Sequence, residues 1–470
     1  MPPETTTRHY DAILIGSGQG GTPLSKALAN AGWRTALIER QYVGGSCVNF
    51  GCTPTKTMVG SARVAYMASR AHEFGIRASL AGTDMGKVRQ RKREIVMQFR
   101  TGSEKALLKT ESLDLTYGDA TFTGPKSLSV KENDGRLLTL TADKIFIDTG
   151  TRPAVPSIAG FETVGSLPNV LDNASIMELD QVPEHLLVLG GGYIGLEFAQ
   201  MFRRFGSRVT IVQSGVQLLA QEDVDIAEEV TKILREDGID VLLHAETTHA
   251  RGDAGKIALE LQVGGKRQTL EGTHLLVAIG RTPNTEDLDL PAAGIETDDQ
   301  GFVRVNERLE TNVADVYAIG DVKGGPAFTH ISYDDYRVLR GNLLENKQAT
   351  IEGRILPYTV FIDPQLGRIG LTEKEARAQG KKIRVAKMPM AFVARALEFG
   401  ETRGHMKIVV DSNSKQILGA AILGMEGGEM AAMVQLAMMG QLPYPVLQQG
   451  IFSHPTLSES LNLIFDHFVE

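Results

Sequence analysis

The chain has 470 residues, 42% of them hydrophobic and 23% charged, with a formal charge of −8 and two cysteines. That length exceeds one core and predicts two to four domains; the acidic balance argues against a nucleic-acid partner, and two cysteines exclude a disulfide scaffold. No apolar run approaches the roughly 18–20 residues that span a bilayer, and the start lacks the charged-then-apolar order of a secretory signal, so the expectation is a cytoplasmic α/β protein without a membrane partner.

The first predicted element is the strand in YDAILIGSGQGG (Tyr10–Gly21). It runs into Gly16-x-Gly18-x-x-Gly21, a helix-like segment and a second apolar run, RTALIER, which carries Glu39 and Arg40. The same order recurs from His185: HLLVLGGGYIG holds Gly190, Gly192, Tyr193, Ile194 and Gly195, and RVTIVQS carries Gln213. Gly16 to Glu39 and Gly190 to Gln213 are both 23 residues apart, so one βαβ unit is used twice. Both motifs follow a strand and open a helix, the context that dinucleotide binding requires. The glycines allow a tight turn and close backbone approach, and the helix N-terminus then faces a pyrophosphate.

Between the copies lies GGSCVNFGCTPTK (44–56), with Cys47 and Cys52. Five residues of regular helix rise about 7.5 Å, more than the roughly 4.4–6.8 Å between Cα atoms of bridged cysteines. Gly44, Gly45, Gly51 and Pro54 therefore predict Cys47 in a loop or distorted turn and Cys52 near a helix start, where the helix dipole favours a thiolate. Two unrelated packed thiols, or half of a zinc site whose other ligands have no pattern in the chain, are the competing readings.

Apolar runs at 144–148 and 274–279 each end in a glycine turn, the first with Thr149 and Gly150, the second with Gly280 and Arg281. They read as crossings between two nucleotide domains, and TNVADVYAIGD (311–321) ends likewise in Gly320 and Asp321. After about residue 348, antiparallel-type strands mix with helices, a third domain. There Met425, Met430, Met433, Met438 and Met439 read as helix packing at an interface rather than as a soft-metal site, and FSHPTLSES supplies His454 and Glu459.

The order of Gly16–Gly21, GGSCVNFGCTPTK, Gly190–Gly195, AIGRTPN, YAIGDV and SHPTLSE resembles the class I pyridine nucleotide–disulfide oxidoreductases over roughly residues 9–465. This family includes glutathione reductase, dihydrolipoamide dehydrogenase and mercuric reductase. The resemblance implies an α/β fold: two Rossmann-like dinucleotide-binding domains plus a C-terminal α+β dimerisation domain. The expected boundaries are 1–155 and 281–347 for the FAD-binding domain, 156–280 for the NAD(P)H-binding domain and 348–470 for the interface domain. It places FAD at Gly16, Gly18, Gly21, Glu39, Arg40, Gly45, Ser46, Thr149, Gly150, Gly320 and Asp321. NAD(P)H falls to Gly190, Gly192, Tyr193, Ile194, Gly195, Gln213, Gly280 and Arg281, with Tyr193 as a gate over the nicotinamide. Gln213 is neutral where a carboxylate would favour NADH and a following arginine NADPH; without a cation for the phosphate it leans to NADH.

The resemblance further implies a redox-active Cys47–Cys52 disulfide, with Cys52 facing the flavin and Cys47 attacking substrate. Lys56 would stand beside the flavin, paired with Glu197. His454, oriented by Glu459, would act on the partner subunit's cysteine pair, so active sites would be shared across a homodimer. The implied activity is FAD-dependent NAD(P)H:disulfide or dithiol oxidoreduction on a small substrate, with no protein-bound metal. A reductase of Hg(II) or Cu(II), a dihydrolipoamide dehydrogenase and a non-catalytic flavoprotein binding subunit are the alternatives. The chain has no C-terminal cysteine pair of the mercuric reductase kind, and Thr53, Thr55 and Gln213 depart from the dihydrolipoamide dehydrogenase pattern.

Overall fold

A computed structural model describes residues 7–469; the first six residues, part of the start read above for a secretory pattern, and Glu470 lie outside it. The chain divides into two compact units. One takes residues up to Thr57 with Lys87–Ala154 and Gly280–Arg354; the other takes Met58–Gly86, Val155–Ile279 and Ile355 onward.

The first unit is built on a parallel sheet. Strand β1 (Thr7–Ile15) pairs with β2 (Thr35–Glu39) on one side, Ile13 opposite Ala36. On the other side β1 pairs with β5 (Leu137–Ile147), Ile15 opposite Ile147. The first half of β3 (Leu113–Gly124) extends the sheet beyond β2, and strand Val316–Ala318 extends it beyond β5. The outer halves of β3 and β5 join β4 (Ser127–Glu132) in an antiparallel meander. Ala12–Ile15 and all of β2 are buried, as expected for inner strands covered on both faces. One apolar layer holds Ile13, Ile38, Phe122 and Ile145; the other holds Leu14, Leu37, Phe146 and Ile319 beneath helix α1 (Gly21–Asn30). The short helix α2 (Gly45–Asn49) and the start of α3 (Cys52–Ser69) follow β2, and most of α4 (Met85–Leu108) belongs to this unit as well.

The second unit repeats the parallel design in a five-stranded sheet ordered 240–242, 208–212, 185–189, 274–277, 170–171. The short helix α5 (Phe161–Val164), then α6 (Tyr193–Phe205) and α7 (Val224–Glu236), accompany it. A three-stranded antiparallel ribbon, 245–272, packs Ile257, Leu259 and Leu261 into the same core. From Pro357 a six-stranded sheet is antiparallel throughout, with helix Gly427–Met439 on it. Two parallel nucleotide-type sheets and an antiparallel C-terminal sheet are the fold class read from the sequence. Met430 is buried in the C-terminal core, with Met433 and Met438 packed against it. Among the described residues no helix is long and apolar enough to cross a membrane, and no group of three His, Cys, Asp or Glu could hold a metal ion.

Candidate active site

The two glycine loops are built alike. Gly16 has φ +103° and Gly190 +111°, conformations that L side chains rarely adopt. A Cβ on Gly16 would stand 2.3 Å from the Asp148 carbonyl oxygen, and one on Gly190 2.4 Å from that of Ala278. A Cβ on Gly21 or on Gly195 would stand 2.4 Å from the first carbonyl of its own loop. The residue that ends each second strand region bonds back to the loop: the Ser17 N–H donates to Glu39 Oε2 at 3.1 Å, and the Gly191 N–H to Gln213 Oε1 at 3.0 Å. Helix α6 has no side-chain cap, so its first turn suits an anion; in the first turn of α1 the Gly21 and Thr22 N–H groups bond Asp148 and the Gly18 carbonyl, and Pro23 has none.

Beneath the first loop lies Asp148, which sequence reading passed over as part of a crossing. It is buried at the end of β5 and accepts the Gly21 N–H at 2.7 Å. A Cβ on Gly18 would come within 2.6 Å of its Oδ2, and one on Gly320 within 2.7 Å of its Oδ1. Burial raises its carboxyl far above the ordinary range, with the charges of Asp321, Asp335 and Glu39 adding to the effect. In its neutral form the carboxyl would support the loop without repelling a phosphate. Glu39 is held by the Ser17 hydroxyl at 2.5 Å and by the N–H groups of Gln41 and Tyr42. Arg40 pairs with Asp119 and Asp287.

The cysteine segment is stitched to that loop. The Gly44 N–H donates to the Ser17 carbonyl at 3.1 Å, Gln19 Nε2 donates to the Gly44 carbonyl, and a Cβ on Gly45 would meet Gly18 Cα at 2.8 Å. Cys47 and the exposed Ser46 lie in α2, entered through Gly44 at φ +102°; the expected loop or distorted turn is a single helical turn. Phe50 and Gly51 break the helix, and Cys52 opens α3. Both cysteines are free thiols, one of the two states that the expected redox-active pair would take. They are hydrogen-bonded to each other, and Thr329 Oγ1 lies 3.1 Å from Cys52 Sγ. The Cys47 hydrogen bond, then Thr329 and the Lys56 charge, lower Cys52 to about 6 against the opposing effect of burial. Cys47 moves upward, first through the same bond and then through burial. The environment therefore favours the thiolate at Cys52, with Cys47 as the thiol that donates to it.

Asp321 and its neighbours close the first unit's site. Asp321 Oδ2 accepts from Thr151 Oγ1 at 3.1 Å, and Arg281 donates to Thr151 Oγ1 and to its carbonyl, both at 2.6 Å. Gly280 and Arg281 thus group with the first unit rather than with the second repeat. Thr149 Oγ1 donates to the Asn284 carbonyl and Asn284 Nδ2 returns the bond to the Thr149 carbonyl, both at 2.8 Å. Gly150, at φ +67°, borders open space. Asp335, fully buried, accepts the Gly320 N–H at 2.9 Å and pairs with Lys323 and Arg354.

In the second unit Tyr193 and Ile194 open α6 half-buried, and Gly192 faces open space. The Gln213 amide is engaged on both sides, Nε2 reaching the Gln217 carbonyl at 3.3 Å. Glu197, buried on α6, accepts the Phe361 N–H at 2.9 Å, and Lys56 is half-buried on α3. His454 is 74% exposed, and its Nδ1 lies 2.9 Å from Glu459 Oε2, leaving Nε2 as the nitrogen outside that pair. Ser17, Asp148, Thr329 and Asp335 are the contributors that sequence reading missed. The aspartate before Thr149-Gly150 was visible, but only the register of β1 with β5 sets it beneath the loop.

The residues of the first unit fit a dinucleotide: a glycine loop closely packed over a buried carboxyl, a strand-end glutamate, an open glycine turn and a half-buried Asp321. Comparison with known proteins points the same way. Residues 10–335 match the family model described as pyridine nucleotide-disulphide oxidoreductase, and residues 356–464 match its dimerisation domain. The chain is 40% identical over 459 residues to the probable pyridine nucleotide-disulfide oxidoreductase RclA of Escherichia coli (strain K12), covering 97% of this chain and 98% of that one. It is 33% identical to a mercuric reductase of Staphylococcus aureus over 97% of this chain and 81% of that one. It is 34% identical to a dihydrolipoyl dehydrogenase of Thermus scotoductus over 96% of both. The solved HOCl-induced flavoprotein disulfide reductase RclA of E. coli is similar with TM-score 0.87 at 38% identity, covering 97% of this chain and 99% of that one; its Cu(II) complex gives 0.89.

Proposed function

The chain belongs to the pyridine nucleotide-disulphide oxidoreductase family, and on that premise we propose that it reduces a small disulfide at Cys47 and Cys52 with electrons from NAD(P)H. It is a flavin-dependent NAD(P)H oxidoreductase acting on sulfur groups. The observation that carries the finer reading is the hydrogen-bonded pair of Cys47 in α2 and Cys52 at the start of α3, in a segment whose Gly44 N–H bonds the glycine loop that suits FAD. Gly16, Gly18, Gly21, Glu39, Gly45, Thr149, Gly150 and Asp321 would hold FAD, which when bound supplies the two-electron relay from NAD(P)H to the cysteines. The second loop, with Tyr193 and Gln213, would hold the nicotinamide nucleotide, NADH by preference because no cation accompanies Gln213. The assignment of 1–155 and 281–347 to FAD, 156–280 to NAD(P)H and 348–470 to the interface belongs to the same proposal.

Each cysteine has a separate task. Cys47 keeps its proton, so it needs a base before it can attack; the imidazole of the partner's His454, oriented by a glutamate, suits that task. The Cys47 thiolate attacks one sulfur of the substrate disulfide, forming a mixed disulfide, and the first departing thiolate takes the imidazolium proton. The Cys52 thiolate then attacks Cys47 Sγ, releases the second substrate thiolate and closes the intramolecular disulfide. Lys56 supports the Cys52 charge. This scheme requires a homodimer with shared sites; the matched dimerisation domain supports the homodimer, and we place the protein in the cytoplasm.

Cys47→Ser and Cys52→Ser should each lower disulfide turnover by at least about 1,000-fold, the scale of losing a nucleophile, while FAD stays bound. Full activity in either variant would sink the mechanism. A second reading, reduction of a soft metal ion at the same thiols, draws on the mercuric reductase likeness and on the Cu(II) complex of RclA. Steady-state turnover with NADH and NADPH against disulfides, lipoamide, Hg(II) and Cu(II) separates the two.

A further inference from the structure

Cys47 lies in α2, a helix of one turn between Gly45 and Asn49. Helices this short are not stable on their own in water, so the turn takes its position from the groups that hold its two ends. The entry is held by the first glycine loop: the Gly44 N–H donates to the Ser17 carbonyl, and Gln19 Nε2 to the Gly44 carbonyl. The exit is held by Asn49, which is 6% exposed. Its Nδ2 donates to the Gly45 carbonyl at 2.9 Å and to the Val43 carbonyl at 3.1 Å, which ties the end of the turn back to its beginning.

Arg100 of α4 orients that amide. Its Nε donates to Asn49 Oδ1 at 2.7 Å, and its guanidinium carbon lies 3.8 Å from the centre of the Tyr42 ring. Arginine Nε can only donate, so Asn49 must turn its oxygen towards Arg100 and its NH2 group towards the two carbonyls. The flipped amide would set N–H against N–H at one end and oxygen against oxygen at the other. Stacking on Tyr42 steadies the guanidinium, and the Tyr42 N–H is itself anchored on Glu39 Oε1 at 3.2 Å. Glu39, Tyr42, Cys47, Asn49, Cys52 and Arg100 all belong to the first unit, in its segments up to Thr57 and Lys87–Ala154.

We propose that Arg100 is a positioning residue for Cys47: through the Asn49 amide it holds α2 in the register that keeps the Cys47 sulfur within bonding reach of Cys52. The inference rests on the reading of Cys47 and Cys52 as the redox pair. A disulfide closes only across a narrow range of Cα and Cβ separations, and the advantage of a neighbouring thiol over one in solution depends on how well the two are held. Without the Arg100 bond the amide is free to flip, the exit of α2 loosens and the two sulfurs meet less often. The charge of Arg100 is a separate variable. Glutamine carries a donor nitrogen as many bonds from Cβ as arginine Nε, and methionine carries a methyl group there. Both are uncharged and neither has a guanidinium to stack, so the two variants isolate the hydrogen bond.

The test is the anaerobic equilibrium of the holoenzyme with reduced and oxidised glutathione at neutral pH, quenched by acid and read by thiol alkylation and peptide mass spectrometry. The Cys47–Cys52 disulfide takes two electrons and two protons from two glutathione thiols, which leave as one glutathione disulfide. The constant for closing the protein disulfide is therefore the effective concentration of one cysteine at the other. A loss of stability common to both redox states cancels from it. Arg100→Met should lower this constant at least about tenfold, a rise of about 30 mV in reduction potential, and Arg100→Gln should stay within about threefold of wild type. A folded R100M with the wild-type constant overturns the proposal. So does R100Q falling as far as R100M, which would assign the effect to charge or stacking. If R100M does not fold, Asn49→Ala decides in its place: a constant lowered about tenfold supports the brace, and an unchanged one overturns it. A wild-type enzyme that closes no Cys47–Cys52 disulfide at any glutathione ratio would instead remove the reading of the redox pair itself, whatever Arg100 does.

Discussion

Asp148 shows how a single side chain shapes this site. Its carboxyl is buried, accepts the Gly21 N–H and lies where any Cβ on Gly18 or Gly320 would fall. Because burial favours its neutral form, an amide is a close substitute. Asp148→Asn should keep the loop bond and change stability by less than about 1 kcal/mol, whereas Asp148→Ala leaves a buried N–H unpaired and should cost about 1–3 kcal/mol. Thermal melts and retained FAD measure both; equal losses would mean that the hydrogen bond contributes nothing. The cysteines follow the same logic of environment over identity. Cys47 and Cys52 are chemically equivalent in the sequence, and the hydrogen bond between them with Thr329 and Lys56 favours the thiolate at Cys52.

Among the elements, the junction of α7 with the antiparallel sheet carries a pH dependence. Glu222, buried just before α7, meets Arg368 of strand Gln365–Gly370 at 3.1 Å and bonds the Tyr358 hydroxyl. Lys407 bonds Asp223, Asp225 and Glu373, and His405 is buried beside it at the start of the same strand. Burial pushes Glu222 up to about 7 even with Arg368 present, and lowers His405 to about 4, assisted by Lys387 and Lys407. A raised carboxyl contributes stability at low pH that is lost as pH rises from about 4.5 through 7. A depressed imidazole does the opposite: its stability is present above about 6.5 and lost as pH falls towards 4. Between these values the two oppose each other. Glu222→Gln removes one of them, so this variant should lose about 2 kcal/mol more than wild type between pH 7 and pH 5, read as a larger drop in melting temperature. Parallel melting curves for the two proteins would contradict the assignment.

For the whole molecule the open question is assembly. His454 and Glu459 form a pair in one chain, and the proposed chemistry brings the partner's His454 to each cysteine pair. Cys47→Ser and His454→Gln homodimers should both be nearly inactive. Reassociated in equal amounts, they should recover about a quarter of wild-type activity, since half the dimers are mixed and each mixed dimer has one intact site. No recovery, with mixed dimers demonstrated by native mass spectrometry, would place both groups of a site in one chain.

Much of this was legible in the sequence for a physical reason: glycine loops and inner parallel strands are local and leave unambiguous residue patterns. The paired spacing from Gly16 to Glu39 and from Gly190 to Gln213 specified two nucleotide folds, and the loops of the two units make the same backbone approaches. The cysteine spacing ruled out a regular helix across the pair, and the break at Phe50 and Gly51 is where the helix stops. What stayed hidden depends on residues far apart in the chain. Asp148 reaches the first loop through the register of β1 with β5, 127 residues from Gly21. Thr329 reaches Cys52 across 277 residues. Arg204 and Arg403 meet on one tyrosine ring. Local pattern determined which chemistry the chain carries; packing between distant segments determined which thiol is favoured as the thiolate and which carboxyl is buried beneath the first loop.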